Sequence, residues 1–183
     1  ITSILARRVG IYPPQIKDAN VVVDIAVHDI DICNYLLGRG PEGVFAKAGR
    51  ALNDERADYA SLFMDYGDTE ILIQVNWITP VKIRKLNVTA VNGYAELDYI
   101  SQKLKLYESN YERSFDSFGD FVVKFGSPDV QDVSIQNGEP LKMEIQGFLT
   151  SVTTGKVVPV TAEEGLLALE WAMKAIQSYQ THS

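Results

Sequence analysis

The sequence has 183 residues, 46% hydrophobic and 22% charged, the composition of a globular chain with one sizeable core, which excludes disorder and a string of small stapled modules. Its 17 Lys and Arg against 24 Asp and Glu give a formal net charge of -7, a field that repels nucleic-acid phosphates and anionic lipid. Cys33 is the single cysteine and cannot form an internal disulfide, no apolar run reaches the roughly 20 residues of a membrane helix, and a reducing cytoplasm is the expected setting.

Ile4 to Ile11 reads as a strand, already under way near the first residue, Ile1, so a fragment of a longer polypeptide is expected. Tyr12-Pro13-Pro14 then forces a turn, because proline fixes φ and lacks a donor. From Asn20, a good N-cap, a helix runs to Leu37 and stops at Gly38, although Val21, Val22 and Val23 weaken its first turn. The period next changes to two. Val44 to Leu52 is a strand, and Ala60, Leu62, Met64 and Tyr66 share one face of another. Tyr66-Gly67-Asp68-Thr69 is a hairpin connection, with Ile71, Ile73, Val75 and Trp77 alternating along the return. Arg84 to Val91 leads to Asn92-Gly93, the strongest hairpin signal present, then Tyr94 to Tyr99 and Lys103 to Tyr107 extend the meander.

Glu108 to Asn137 reads as irregular, with short strands at Phe121 to Phe125 and Val133 to Ile135. Pro140 opens a helix with a stripe of Leu141, Ile145, Phe148, Leu149 and Val152, ended by Gly155. In the last helix Thr161 to Glu164 is a capping box, Ala162, Leu166, Leu169, Met173 and Ile176 make the apolar repeat, and Glu170 pairs with Lys174. The order predicts an α+β domain, a large mostly antiparallel sheet with helices packed on one face. Strands with apolar residues on both faces, such as Tyr59 and Phe63 opposite Leu62 and Met64, predict that the other face meets a partner, with a homo-oligomer the expected outcome.

Chemistry concentrates in Val23 to Asp31. On a uniform helix Asp24, His28 and Asp31 fall on one narrow face and Val22, Ala26, Ile30, Cys33 and Leu37 on the opposite one. Ionisable groups on an apolar helix must satisfy one another or face a cavity. Asp24, one turn before His28, is placed to orient the imidazole so that its other nitrogen exchanges a proton near neutral pH. The alternatives are a solvated polar stripe, a satisfied core histidine, or a metal triad of Asp24, His28 and Asp31; with His182 the only other histidine, metal ranks lowest and none is assigned. Arg7, Arg8, Tyr12 and Lys17, just before this helix, are candidates to contact an anionic ligand, with solvated surface charge the alternative for any one of them. Gly38 to Gly43 spells the dinucleotide fingerprint G-x-G-x-x-G but follows a helix and precedes a strand, the wrong context. Asn87-Val88-Thr89 matches a glycosylation site inside a predicted strand and is discounted.

The run Arg8-Val9-Gly10 to Pro13-Pro14, the block Asp24-Ile25-Ala26-Val27-His28-Asp29-Ile30-Asp31, Leu36-Leu37-Gly38, Asn76-Trp77 and Asn92 to Asp98 together resemble the C-terminal domain of the Gfo/Idh/MocA family (glucose-fructose oxidoreductase, inositol dehydrogenase and MocA-like proteins). The likeness spans the whole chain and is nearest in wording to archaeal members described as UDP-N-acetylglucosamine 3-dehydrogenases. It implies that residues 1–183 are the substrate-binding and oligomerisation domain of an NAD- or NADP-dependent dehydrogenase acting on a sugar, sugar nucleotide or polyol, with the cofactor held mainly by a preceding Rossmann domain. By position His28 would be the proton acceptor, Asp24 would orient it, and Arg8, Tyr12, Lys17 and Asp31 would serve substrate. The family's Glu-Lys-Pro motif and a valid dinucleotide fingerprint are absent, so the chain alone is expected to be inactive. The other class of function is a non-enzymatic ligand-binding or oligomerisation module on the same fold.

Overall fold

Strict alternation along two neighbouring strands builds the core. In the computed structural model, which describes residues 1–52, 55–108, 111–115 and 121–181, β3 (Tyr59–Asp65) and β4 (Glu70–Asn76) bury Ala60, Leu62, Met64, Ile71, Ile73 and Val75 on one face. The remaining strands are β1 (Ser3–Ile11), β2 (Gly43–Gly49), β5 (Ile78–Ala90), β6 (Gly93–Asp98), β7 (Lys103–Glu108), β8 (Tyr111–Phe115), β9 (Phe121–Phe125) and β10 (Asp129–Val133). Eight of them form one sheet in the order β10-β7-β6-β5-β1-β4-β3-β2, and β8 pairs with β9 separately. β1 lies in the middle, parallel to β4 and antiparallel to β5, so the sheet is mixed, an α+β arrangement that periodicity predicts in class but not in strand order.

Helix α1 (Val27–Leu37) and helix α3 (Ala162–Thr181) cover the inner face. Asn20 caps as expected, its Oδ1 accepting from the backbone N–H groups of Val22 and Val23, but the first turn, Val22–Ala26, is a π-helix rather than α-helix. The three consecutive valines noted above sit at this turn. Gly38 ends α1 at φ 64, a left-handed conformation that glycine adopts without a Cβ penalty. Val22, Ala26, Ile30 and Cys33 are fully buried, as the helical wheel requires.

The structure corrects several details. The strand expected at Val44 to Leu52 ends at Gly49, because Asp58 draws the backbone N–H groups of Ala51 and Leu52 into a loop. The Asn92-Gly93 hairpin forms, but its loop is Val91-Asn92, and Gly93 pairs with Ala90. Glycine is needed there for close approach, since a Cβ would stand 2.7 Å from the Tyr107 carbonyl oxygen. In the stretch read as irregular the strand expected at Phe121 to Phe125 is present as β9, β8 is an addition, and the last strand is Asp129–Val133 rather than Val133 to Ile135. His182 lies outside the described residues.

The capping box on α3 is present, with Thr161 and Glu164 exchanging hydrogen bonds. Its buried face is Ala168, Trp171, Ala172 and Ala175, whereas the predicted stripe of Leu166, Leu169 and Met173 is exposed. Three alanines let the helix approach closely, and Ser178 Oγ accepts from the Ala46 N–H, so α3 also covers the β2 edge. Lys174 lies over the Trp171 ring, 3.8 Å from its centroid, instead of pairing with Glu170. On helix α2 (Pro140–Thr154) Leu141, Ile145, Phe148, Leu149 and Val152 are all exposed.

Candidate functional site

Where β1 meets the start of α1, the sheet and helix diverge and leave a cleft of about 1220 Å³. Arg8 reaches it from β1, Asp24 from the π-helical turn, His28 from α1, Lys82 and Arg84 from β5, and Tyr99 from the end of β6. Asn76, Trp77 and Gln102 complete the polar wall, while Ile16, Ile25 and Ile32 supply apolar surface. His28 is exposed to this space rather than sealed in the core. No hydrogen bond joins Asp24 to His28 among the described residues; the two carry their free polar atoms to the same cleft.

Beneath them lies a group that sequence reasoning missed. Asp29 is 1% exposed and grips Arg8 with two hydrogen bonds, Arg8 Nε to Oδ2 at 3.0 Å and Arg8 Nη2 to Oδ1 at 2.7 Å. Such a fork fixes the guanidinium plane as well as its charge. Burial works against that charge, but the hydrogen bonds and negative charge of Asp29 more than offset it and hold Arg8 above its ordinary pKa. Tyr99 stacks on the same guanidinium, 5.4 Å from ring centroid to Cζ, and burial followed by the Asp29 charge pushes its hydroxyl up to about 12. The signal for Asp29 was in the spacing: on the helical wheel it falls with Val22, Ala26 and Cys33 on the buried face, opposite Asp24 and Asp31.

The Tyr99 hydroxyl and the Trp77 indole N–H are buried without a hydrogen-bond partner in the structure. An unsatisfied buried donor costs about 1–3 kcal/mol. Tyr12 packs edge-on to Trp77 at 5.4 Å between centroids, so it shapes the wall from behind.

The other expected residues separate. Lys17 is exposed in the polar connection after Pro14 and does not line the cleft. Asp31 lines a second pocket of about 310 Å³ with Asn34, Arg39, Glu164 and Leu167. Burial, then the Glu164 charge, raises its pKa against the opposing pull of His28. The uniform helical wheel places Asp31 beside Asp24, but Asp24 and His28 line the large cleft and Asp31 the second pocket, so the three ionisable groups do not converge, and among the described residues no cluster has the make-up of a metal site. The Gly38–Gly43 run does not build a dinucleotide fingerprint. Gly38 terminates α1 and Gly43 begins β2, so no helix N-terminus faces the glycine-rich run.

Among the described residues no helix is long and apolar enough to cross a membrane. Residues 13–183 match the family described as oxidoreductase family, C-terminal alpha/beta domain. A UDP-N-acetylglucosamine 3-dehydrogenase from Acidithiobacillus ferrooxidans is 25% identical over 156 residues, 84% of this chain and 46% of that protein. The solved structure of the Acidithiobacillus ferrooxidans UDP-N-acetylglucosamine 3-dehydrogenase superposes with a TM-score of 0.82 at 20% identity, covering 98% of this chain and 54% of that one. An NAD-binding protein from Listeria innocua superposes with a TM-score of 0.73 at 15% identity over 99% of this chain and 57% of its own. The chain thus spans about half the length of the relatives it matches. With the eight-stranded mixed sheet, its helical cover and the match across residues 13–183 in hand, the chain belongs to the C-terminal alpha/beta domain of the Gfo/Idh/MocA oxidoreductase family.

Proposed function

We propose that this domain is the substrate-binding half of a cytoplasmic NAD- or NADP-dependent dehydrogenase that oxidises a hydroxyl of a sugar, sugar nucleotide or polyol. The observation that carries the proposal is His28, exposed on the helix whose opposite face, Val22, Ala26, Ile30 and Cys33, is buried, and lining the cleft together with Asp24. The nicotinamide cofactor is assigned mainly to a preceding domain, a reading supported by family membership and by the NAD-binding relative, about half of whose length this chain covers. Such a cofactor supplies hydride acceptance.

This chain supplies the rest. His28 takes the proton that the reacting hydroxyl loses, a transfer for which imidazole is suited near neutral pH. Asp24 stands one turn earlier, placed to receive a substrate hydroxyl or to bias the ring as the cationic form develops. Arg8, immobilised by Asp29, offers a fixed contact to a polyhydroxylated ligand. Family membership and the relative that acts as a UDP-N-acetylglucosamine 3-dehydrogenase support a sugar-nucleotide substrate. The outer sheet face is the proposed contact for a second copy of the chain.

His28→Asn in the full-length protein tests the assignment. Turnover is expected to fall about 10²- to 10⁴-fold while cofactor affinity stays near normal. Unchanged turnover would instead identify a binding module with no catalytic role for the ring.

A further inference from the structure

The cleft holds more positive charge than proton transfer uses. Three cations line it, Arg8, Lys82 and Arg84, against one carboxylate, Asp24, in a chain whose net charge is -7. Arg8 is committed to Asp29. The side chains of Lys82 and Arg84 make no hydrogen bond or ion pair among the described residues, although Lys85 and Glu96 nearby do pair.

Their placement is built into β5. Arg84 stands opposite Arg8 in register and therefore on the cleft side of the sheet, while Lys85, opposite Arg7, faces away. Between Arg84 and the start of the strand the register slips: Val9 pairs with Ile83 but Ile11 pairs with Ile78, so residues 79–82 bulge out. A bulge of this kind re-aims side chains. Lys82 lies across Gly10, its Cα and Cγ each 3.9 Å from where a Gly10 Cβ would stand. Arg84 is partly buried, and burial followed by the Arg8 charge lowers its pKa despite Asp29 and Asp24. A cation held beside another cation, with no counter-charge of its own, is unfavourable until an anion arrives.

We propose that Lys82 and Arg84 form an oxyanion subsite that seats a phosphoryl or carboxylate group of the substrate, so that the ligand of this cleft is an anionic sugar and not a neutral sugar or polyol. The inference rests on reading the cleft as the substrate site. The guanidinium fork of Arg84 matches two oxygens of either group, and Lys82 adds a mobile point charge beside it. Seated there, the anion fixes the ligand at the β5 wall and leaves its sugar ring to span the cleft toward Asp24 and His28.

Calorimetric titration of the full-length protein with UDP, UDP-N-acetylglucosamine, glucuronate and N-acetylglucosamine tests this. At least one anionic probe is expected to bind 10-fold or more tighter than neutral N-acetylglucosamine. Arg84→Gln and Lys82→Gln should each weaken that probe about 10- to 100-fold, with Arg84→Lys recovering part of the loss. Lys85→Gln, on the opposite face, is the control for bulk charge. UDP binding assigns the subsite to phosphoryl groups and glucuronate binding assigns it to carboxylates; either supports the proposal. Equal affinity for charged and neutral probes, or equal weakening of both by Arg84→Gln, overturns it. Turnover separates the two readings: loss of activity in His28→Asn with no effect of Arg84→Gln on binding removes the subsite and keeps the dehydrogenase, whereas Arg84-dependent UDP binding without oxidation of any sugar does the reverse.

Discussion

The two faces of the eight-stranded sheet carry apolar residues of similar size and meet different surroundings. On the inner face Leu62, Ile73, Ile71 and Met64 are fully buried under α1 and α3. On the outer face Phe45, Phe63, Leu72 and Leu5 lie side by side in register across β2, β3, β4 and β1, each between 41% and 53% exposed. Single exposed apolar residues are ordinary, but a continuous row across four strands is the form that a contact surface takes. The inner face holds this domain together; the outer face is available to hold it to something else.

The sharpest way to break the inner face is through charge. Asp29→Ala would leave the buried Arg8 guanidinium without its partner, and a loss of about 3–5 kcal/mol is expected, visible as a fall in Tm of about 10 °C. Next come matched deletions on the two faces. Ile73→Ala, beneath the helices, should cost about 2–5 kcal/mol in denaturant unfolding. Phe63→Ser, on the adjacent strand but facing out, should change the monomer's stability by about 0.5 kcal/mol or less. If the row is a self-association surface, the same substitution should shift sedimentation velocity profiles toward monomer. Equal destabilisation by the two changes would erase the distinction between the faces.

The smallest effect belongs to Asp31, at the helical border of the inner layer. Its folded pKa lies above the ordinary carboxylate value of 3.8, so the native state holds its proton at pH values where the unfolded chain has released it. Stability contributed by that proton is present at low pH and is lost as pH rises from 3.8 through the folded value. Asp31→Asn should therefore flatten stability in this window and stabilise the protein near neutrality. Because the group is substantially exposed and screened, the gain is on the order of 0.5 kcal/mol or less, measured as the pH dependence of unfolding midpoints.

Much of this was legible in the residues, and the failures have physical causes. Alternation in β3 and β4, the Asn20 and Thr161 caps and the glycine at position 38 all depend on interactions within a few residues, which sequence spacing records directly. The insertion of β1 between β4 and β5 depends on contacts some tens of residues away, and periodicity is blind to those. The buried face of α3 was misread because Leu166, Leu169 and Met173 are larger and more apolar than the alanines that allow close packing against β2. At the site, Asp24 and His28 were found because charge on an apolar helix is conspicuous. Asp29 falls on the buried side of the helical wheel with Val22, Ala26 and Cys33, but its partner Arg8 is 21 residues away, and Arg84 lies in an unremarkable strand.

The central position of β1 also governs the order in which this sheet can be assembled. Residues 3–9 find their hydrogen-bond partners at 70–76 on one side and at 83–89 on the other. During synthesis β1 must therefore wait, unpaired, until β4 has been made, and its second edge stays open until β5 follows, so its insertion closes two long loops. Until that moment Ile4 and Ala6 have no core to enter, and the growing chain exposes a strand with two open edges. Rapid local pairing of β2 with β3 and of β5 with β6 can proceed in the meantime, leaving the insertion of β1 as the step that joins the two halves.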